Sequence, residues 1–425
     1  MLLEMALAIG GTYAYYLMTN DKKPDKVKLS GWRELKPLTG DGVVISENVR
    51  LSPHFSNEHI LICAPSGMKK TRGVIMPTAK SITESTLIIT DPACEIEKEC
   101  KGIHKNVLIF NPYSNNSIGY DPLKNCRTIS EVKKIAEVIL ANGSTSSQNK
   151  TSSGDLQEWL DKAAPLLKSY MIWNWKLEKY SFDELIVRIV SGTMSSIHRE
   201  IMNSNVEEAK IEFMSFAQVA SANVTLSCIR SVLNTAVQLF IDPSVQKLFR
   251  KRSIIFDKLR DKSTVVFIQI PEKDADFYAP LTATFISQML DRLIEKESGV
   301  QTYLLLDELC NIGFIPGLCR LLSTARKRGV SITGAIQSLS QLERVYGDIS
   351  GKELKELFKT IVAMGGLKDS AEYFSSLLGN KEVIKDKVRH TEPVMTADEI
   401  RRLPSDKCLM ICHNRQPVID NIYEL

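Results

Sequence analysis

The sequence lacks the cysteine and histidine spacings that mark disulfide scaffolds and zinc sites. Nine cysteines are scattered over 425 residues without a CxxC pair. We interpret them as reduced, mostly buried small side chains of a cytosolic protein. The six histidines show no HExxH spacing, so no pattern argues for zinc.

A large excess of either charge is also missing. The formal net charge is only +4, and the hydrophobic content of 44% is ordinary for a globular protein. Any contact with nucleic acid must therefore come from a local patch. The length allows about two soluble domains, and we find no internal repeat.

One apolar stretch at the start is long enough to cross a membrane. Residues 2–18 are apolar apart from Glu4 and Thr12, and lysines follow at positions 22, 23, 26 and 28. No positive charge precedes the stretch and no cleavage site follows it, which argues against a secretory signal. We predict a single-pass anchor over residues 1–20 in the plasma membrane with the bulk of the chain cytoplasmic. A buried or re-entrant helix is the alternative.

The rest of the chain alternates between strand and helix signals. Short apolar runs typical of buried parallel strands occur at 60–63, 86–90, 107–111, 264–270, 303–306, 330–336, 360–364 and 408–412. Between Asp155 and about Phe249 only helical patterns occur. We predict an α/β nucleotide-binding domain with a predominantly parallel sheet, interrupted by an all-α insertion. The expected segments are the anchor 1–20, a membrane-proximal linker with short strands 21–58, the first part of the nucleotide-binding domain 59–180, the all-α domain 181–250, and the second part 251–425.

The run Thr302-Tyr-Leu-Leu-Leu ends in two adjacent carboxylates, Asp307 and Glu308. In nucleotide hydrolases the first such acid holds Mg²⁺ through water, and the second polarises the attacking water. We predict these roles for Asp307 and Glu308. The alternative is a pair of acids that caps a helix.

A candidate phosphate loop follows the strand at 60–63. It reads Ala64-Pro-Ser-Gly67-Met-Lys69-Lys70-Thr71, between a strand and a helix. We expect Lys70 to reach the β- and γ-phosphates and Thr71 to ligate Mg²⁺, while backbone amides hold the phosphates. Lys69 would either strain the backbone or add charge to the pocket. The predicted cofactors are ATP and Mg²⁺, and the predicted contacts are Ser66, Gly67, Met68, Lys69, Lys70, Thr71 and Arg72. A basic turn at a helix start is the alternative.

Several blocks in one order resemble a known family. The main block runs from Leu304-Leu-Leu-Asp307-Glu308 through Pro316-Gly-Leu, Ala325-Arg326-Lys-Arg328-Gly329 and Gln337-Ser-Leu-Ser-Gln341. It resembles the type IV secretion coupling proteins of the TraG type, the membrane ATPases of conjugation systems. Flanking segments that agree are Thr90-Asp91-Pro92, Asn111-Pro112, Tyr120-Asp121-Pro122-Leu123, Ile270-Pro271 and Arg401-Arg-Leu-Pro404.

This resemblance implies a RecA-like domain, an inserted all-α domain, an N-terminal membrane anchor and a homo-hexameric ring. The family's usual loop has glycine where this chain has Ala64 and Lys69, a departure that related proteins of clostridial type share. The implied function is a P-loop ATPase that passes relaxase-bound single-stranded DNA or protein cargo to a type IV secretion channel. The implied partners are therefore relaxase or relaxosome proteins, single-stranded DNA and channel components.

Three further residues have two interpretations each. Arg326, favoured over Arg328 by the family motif, is either an arginine finger for a neighbouring subunit or a solvated helix end. Gln337 either senses the γ-phosphate or only terminates a strand. Asp91 serves either catalysis or a turn.

Two other functions compete with the main hypothesis. One is a docking receptor that binds nucleotide with little hydrolysis, and the other is a DNA pump of the FtsK type. Residues 181–250 carry six Lys/Arg and seven Asp/Glu. This near-neutral balance favours recognition of protein cargo over DNA.

Overall fold

The computed structural model describes residues 28–143, 153–220, 222–297, 299–385 and 388–424. The predicted anchor, residues 1–20, lies outside these ranges, as does most of the polar tract 142–154. In the described part, one helical segment, Asn223–Ile241, is long and apolar enough to cross a membrane, with a mean hydropathy of 1.4. Core helices of soluble proteins pass the same test, and this one packs against several neighbouring helices.

The described strands include every apolar run predicted above. They are β1 (Thr39–Val44), β2 (Arg50–Leu51), β3 (Ile60–Cys63), β4 (Thr86–Thr90), β5 (Val107–Phe110), β6 (Val265–Ile268), β7 (Thr302–Leu306), β8 (Val330–Ile336), β9 (Thr360–Met364), β10 (Asn380–Lys385), β11 (Val388–Pro393), β12 (Lys407–Cys412) and β13 (Val418–Asn421). Nine of them form one sheet in the order β13-β12-β9-β3-β8-β7-β4-β6-β5. The strands from β9 to β5 are parallel, whereas β12 and β13 add antiparallel at one edge.

Most strands of the parallel part are buried throughout, which explains why continuous apolar runs predicted them. The prediction of an α/β fold with a mostly parallel sheet is confirmed. The carboxyl ends of β3, β4, β6, β7 and β8 meet at one edge of this sheet, where ligands bind in open α/β folds.

Helices cover both faces of the sheet. They are α1 (Pro53–Ser56), α2 (Met76–Ser81), α3 (Glu95–Glu99), α4 (Ile129–Gly143), α5 (Ser153–Leu177), α6 (Phe182–Ser191), α7 (Met194–Met202), α8 (Glu207–Val219), α9 (Asn223–Val237), α10 (Pro243–Arg250), α11 (Ala275–Glu295), α12 (Leu318–Lys327), α13 (Leu339–Leu357), α14 (Asp369–Leu378) and α15 (Ala397–Arg401). Short 3₁₀ turns occur at Trp32–Leu38, Leu123–Asn125, Gln238–Ile241, Phe256–Lys258, Glu272–Asp274 and Leu309–Ile312.

The helices α4 to α10 lie between β5 and β6, two strands that are neighbours in the sheet. Helix α5 packs against α4, α8 and α9, and its Tyr170 and Trp173 rings stack at 5.0 Å. The helical region therefore includes α4 and α5, which the sequence analysis had assigned to the first part of the nucleotide-binding domain. The domain bounds themselves stay a prediction.

The segment before β3 packs on the sheet. Its two short strands pair with each other, as the sequence predicted. Leu35, Val43, Ile45 and Leu51 join the same buried cluster as the inward-facing side chains of β3 and β4. The segment from about residue 32 to β3 thus contributes side chains to the hydrophobic core.

Candidate nucleotide-binding site

The predicted phosphate loop connects the buried strand β3 to a helix. A π-helical turn, Thr71–Ile75, follows the loop and continues into α2. Gly67 has a φ of 82° and Lys69 a φ of 60°. Glycine adopts such left-handed conformations freely, whereas a lysine does so only with strain. The strain expected at Lys69 is therefore present.

Lys70 points to the acidic tip of β7. Its ammonium contacts the Glu308 carboxylate, and the two side chains are only 10% and 7% exposed. Burial lowers the pKa of Lys70, while the nearby Asp307 carboxylate opposes this shift. The Gln337 side-chain amide donates to the same Glu308 oxygen at 3.3 Å. Glu308 lies 238 positions after Lys70 in the sequence, and the two nevertheless meet at the sheet edge.

Thr71 and Asp307 form the second contact between the loop and β7. The Thr71 hydroxyl donates to Asp307 Oδ2 at 2.7 Å. Burial raises the pKa of Asp307, and the hydrogen bond from Thr71 counteracts part of that shift. The structure therefore brings the hydroxyl and the carboxylate predicted for magnesium into direct contact.

Each of the two acids keeps one oxygen without a partner. Asp307 Oδ1 and Glu308 Oε2 are buried and accept no hydrogen bond within the described ranges. Glu308 also has a φ of 74°, a strained conformation that recurs at functional sites. Buried anionic oxygens are costly unless they are paired. A divalent cation beside Asp307 and a water beside Glu308 would satisfy them, so these residues fit Mg²⁺.

A cleft of about 720 Å³ opens in front of these residues. This volume lies within the roughly 300–1,000 Å³ typical of small-molecule sites. The lining residues are Ser66, Gly67, Lys69, Lys70, Thr71, Arg72, Asp91, Pro92, Ala93, Glu95, Glu272, Asp307, Glu308, Tyr423 and Glu424.

Met68 differs from the other loop residues. Its side chain packs against the apolar cluster beneath the loop, and its backbone amide donates to the Pro65 carbonyl at 3.3 Å. Of the seven predicted nucleotide contacts, Met68 alone does not line the cleft in the structure.

Arg326 lies at the opposite edge of the sheet from Lys70. It occupies the last turn of α12, just before β8 begins. Its guanidinium contacts the buried Glu58 carboxylate, which also contacts His413 at 2.8 Å. The structure does not bring Arg326 to Lys70 within one chain. A role at a neighbouring subunit stays a prediction.

Asp91 has a structural task. Its carboxylate accepts backbone N–H bonds from Glu95, Ile96 and Glu97 at 3.0, 3.2 and 2.9 Å. These bonds satisfy the first amides of α3. The turn interpretation of Asp91 is therefore supported by its geometry.

The sequence analysis did not name three other residues of the cleft. Glu272 follows β6, so the rule that parallel strands end at one edge could have found it. Tyr423 and Glu424 follow β13, and no motif in the sequence marks them.

A comparison with known protein families identifies the family of this chain. The family described as "Type IV secretory system Conjugative DNA transfer" matches residues 22–421. The chain belongs to this family. The resemblance to type IV coupling proteins is thereby confirmed.

Individual relatives agree with the assignment. The chain is 22% identical over 399 residues to the conjugal transfer protein TraG of Rhizobium radiobacter, covering 86% of this chain and 61% of that protein. The TraG protein of Agrobacterium fabrum is also 22% identical, with 86% and 60% covered. The chain thus spans about 60% of the length of these relatives.

Solved structures show the same fold. The plasmid coupling protein TrwB in complex with ADP and Mg²⁺ superposes with a TM-score of 0.78 at 20% identity, covering 94% of this chain and 93% of that one. TrwB in complex with the non-hydrolysable GTP analogue GDPNP gives 0.79 at 20% identity, with 93% of each chain covered.

Proposed function

We propose that this chain is a membrane-anchored P-loop ATPase that energises conjugative transfer through a type IV secretion channel. The observation that carries the proposal is the convergence of Lys70, Thr71, Asp307 and Glu308 in one cleft, where Gln337 bonds to Glu308 and two buried carboxylate oxygens are left for a cation and a water. Membership of the conjugative DNA transfer family supports it, as does the likeness in fold to TrwB, a protein solved with ADP and Mg²⁺.

In the proposed mechanism, Lys70 leaves Glu308 and pairs with the β- and γ-phosphates of ATP. The Thr71 hydroxyl and the Asp307 carboxylate would hold Mg²⁺, which would supply positive charge to neutralise these phosphates. Glu308, steadied by the Gln337 amide, orients the attacking water and accepts its proton as the new bond to phosphorus forms and the bond to ADP breaks. The loop backbone and the helix start at Thr71 stabilise the negative charge.

We further propose a homo-hexamer in which Arg326 serves the site of a neighbouring subunit. Arg326 lies at the sheet edge away from its own cleft, and its side chain is about half exposed, so a neighbour can reach it. A finger of this kind makes hydrolysis depend on assembly. Subunits with Arg326→Ala and subunits with Lys70→Ala, each inactive alone, should recover turnover when they are mixed.

The proposed cargo is relaxase-bound single-stranded DNA or protein, delivered to components of the secretion channel. The near-neutral balance of residues 181–250 supports a protein, such as the relaxase, as the first contact. Residues 1–20 would anchor the ring in the plasma membrane by a single span. A pull-down of the full chain with the proteins encoded beside it tests the cargo class, and recovery of a relaxase is the expected outcome.

Phosphate release by the full chain in detergent tests the ATPase itself. We expect turnover that requires Mg²⁺ and that both Lys70→Ala and Glu308→Gln abolish. Lys80→Ala is the matched control, because Lys80 lies beyond the loop on α2 and its ammonium pairs with the exposed Glu99. Absence of Mg²⁺-dependent turnover in the assembled wild-type chain would contradict the proposal.

One observation favours the docking-receptor alternative. Lys69 departs from glycine at a position with positive φ, as expected if the loop had decayed. Separate measurements of ATP affinity and turnover distinguish the two hypotheses, because a receptor binds ATP and releases little phosphate. The family assignment favours a conjugation protein over a pump of the FtsK type.

A further inference from the structure

The segment that follows β13 lies against the phosphate loop. Ile422 is buried beside Gly73 in the first turn after the loop, and a Cβ added to Gly73 would come within 2.3 Å of Ile422 Cγ2. Only a residue without a side chain at position 73 allows this approach. The next two residues, Tyr423 and Glu424, then enter the cleft wall.

An ion pair fastens this segment to the loop. Lys69 Nζ lies 2.8 Å from Glu424 Oε1, with the two side chains 41% and 71% exposed. Lys69 is the residue that replaces a glycine of the family's usual loop. Its left-handed backbone is thus accompanied by a side chain that points to Glu424, whereas the next residue, Lys70, points to Glu308.

Tyr423 is an aromatic residue of the cleft wall. It is the only aromatic side chain among the described residues that line the cleft, and it is 36% exposed. In the described part of the chain the ring contacts no other aromatic ring, and its hydroxyl has no hydrogen-bond partner. A partly exposed ring without an aromatic neighbour is suited to stacking on a nucleobase, which every base permits through its π-face.

The orientation of a nucleotide in the cleft follows from its charged end. The phosphates belong beside Lys70 and Asp307, since these carry the cation and the magnesium ligand of the proposed site. The base must then lie toward the part of the cleft that is further from β7. Tyr423 and Glu424 follow β13, which lies on the side of β3 away from β7 in the sheet, and Glu424 pairs with Lys69 of the loop.

We propose that Tyr423 stacks on the nucleobase of the bound nucleoside triphosphate, and that the Lys69–Glu424 pair is a positioning device that holds Tyr423 at the cleft. This inference rests on the proposed function, because it assumes that the cleft binds a nucleotide. It assigns a base subsite to a segment that no nucleotide motif includes. It also offers an explanation for Lys69 other than decay of the phosphate loop.

The test compares ATP with inorganic tripolyphosphate, which has the same charged groups and no base. Tyr423→Leu keeps an apolar side chain but removes the ring, and it should raise the Kd for ATP by about 5- to 150-fold. The Kd for tripolyphosphate should not change. Tyr423→Phe is the matched control and should bind both ligands like the wild type.

The positioning role of Lys69 is tested in the same assay. Lys69→Gly also removes a cation from the phosphate loop, so it should weaken binding of both ligands, but of ATP more than of tripolyphosphate. Glu424→Gln should weaken ATP binding without weakening tripolyphosphate binding, and it should not weaken ATP binding further in the Tyr423→Leu background. That non-additivity is expected only if the pair acts through the ring.

Two results would overturn the inference. An unchanged Kd for ATP in Tyr423→Leu would place the base elsewhere, and an equal loss for ATP and tripolyphosphate would mean that the segment acts on the phosphates. Both leave the proposed function intact, because the wild-type chain would still bind and hydrolyse ATP. A wild-type chain that binds neither ligand would overturn both proposals.

Discussion

Replacing Glu308 with glutamine should separate nucleotide binding from hydrolysis. In the structure the Glu308 carboxylate contacts Lys70 in a nearly dry environment, so an incoming phosphate must compete with it. A hydrogen bond to a charged group contributes about 1.5–3 kcal/mol. Removing this competitor should tighten ATP binding by about 10- to 150-fold. Loss of the proton acceptor should slow hydrolysis by about 100- to 10,000-fold.

Two measurements check this prediction on one preparation of the Glu308→Gln chain. Titration with a fluorescent ATP analogue gives the affinity, and single-turnover phosphate release gives the rate of hydrolysis. A variant that hydrolyses ATP at the wild-type rate would refute the role of Glu308 as acceptor. Weaker binding than in the wild type would refute the competition between Glu308 and the phosphates.

The matched control is Glu343→Gln. Glu343 contacts Lys355 at 2.8 Å, and that lysine is also buried, with 9% of its side chain exposed. The substitution therefore breaks a comparable lysine–glutamate pair away from the cleft lining. We expect no change in ATP affinity or turnover.

Three further predictions concern stability. Burial raises the pKa of Asp307. The stability that comes from the protonated carboxyl is therefore present at acid pH and lost as pH rises through the raised pKa of the folded state. Asp307→Asn should raise the melting temperature at pH 7, but not near pH 3, while it abolishes Mg²⁺-dependent turnover. Burial lowers the pKa of His59 from 6.5 to about 4, so the stability that depends on its neutral ring is present above pH 6.5 and lost as pH falls toward 4. Denaturant unfolding should show about 3 kcal/mol less stability at the lower pH. His59→Gln should remove that part of the dependence of stability on pH. A Cβ at Gly143 would lie 2.1 Å from the Ala236 carbonyl oxygen, so Gly143→Ala should cost about 1–3 kcal/mol of unfolding free energy, whereas Gly31→Ala, which has open space, should have little effect.

The parallel strands could be predicted from sequence because their burial leaves a simple signal. β3, β8 and β9 are buried at every position. β3 is an unbroken apolar run, β9 is one after Thr360, and β8 is largely apolar although it includes Ser331 and Thr333. The hairpin of β10 and β11 was missed, because its strands read NKEVIK and VRHTEP and have no such run. It forms a separate two-stranded sheet, so it lacks the burial on both faces that makes the other strands recognisable.

The chemistry of the cleft was predictable for a related reason. Lys70, Asp307 and Gln337 each follow the carboxyl end of a parallel strand, and such ends share one edge of the sheet. Their contacts with Glu308 and Thr71 follow from that topology. Arg326 shows the limit of this reasoning, since the proposed action of a residue on a neighbouring subunit cannot be tested by geometry within its own chain.

The part of the cleft formed by Tyr423 and Glu424 could not be inferred from sequence. Glu424 lies 355 positions after Lys69, and it reaches the loop only because β13 adds antiparallel at the edge of the sheet and its continuation crosses back over Gly73. Neither residue type nor spacing predicts such a path. The sequence therefore left two interpretations of Lys69 open, strain or added charge.

The energetics of Lys69 favour a functional reason for its presence. A left-handed backbone costs a non-glycine residue about 1–2 kcal/mol, while an exposed ion pair such as Lys69–Glu424 returns only about 0.2–1 kcal/mol. Lys69 thus lowers the stability of the fold by about 0–1.8 kcal/mol. Lys69→Gly should accordingly raise the unfolding free energy, measured by denaturant titration, and still weaken ATP binding. A glycine variant that is less stable than the wild type would show that the ion pair outweighs the strain, and the argument that Lys69 is present for binding would fail.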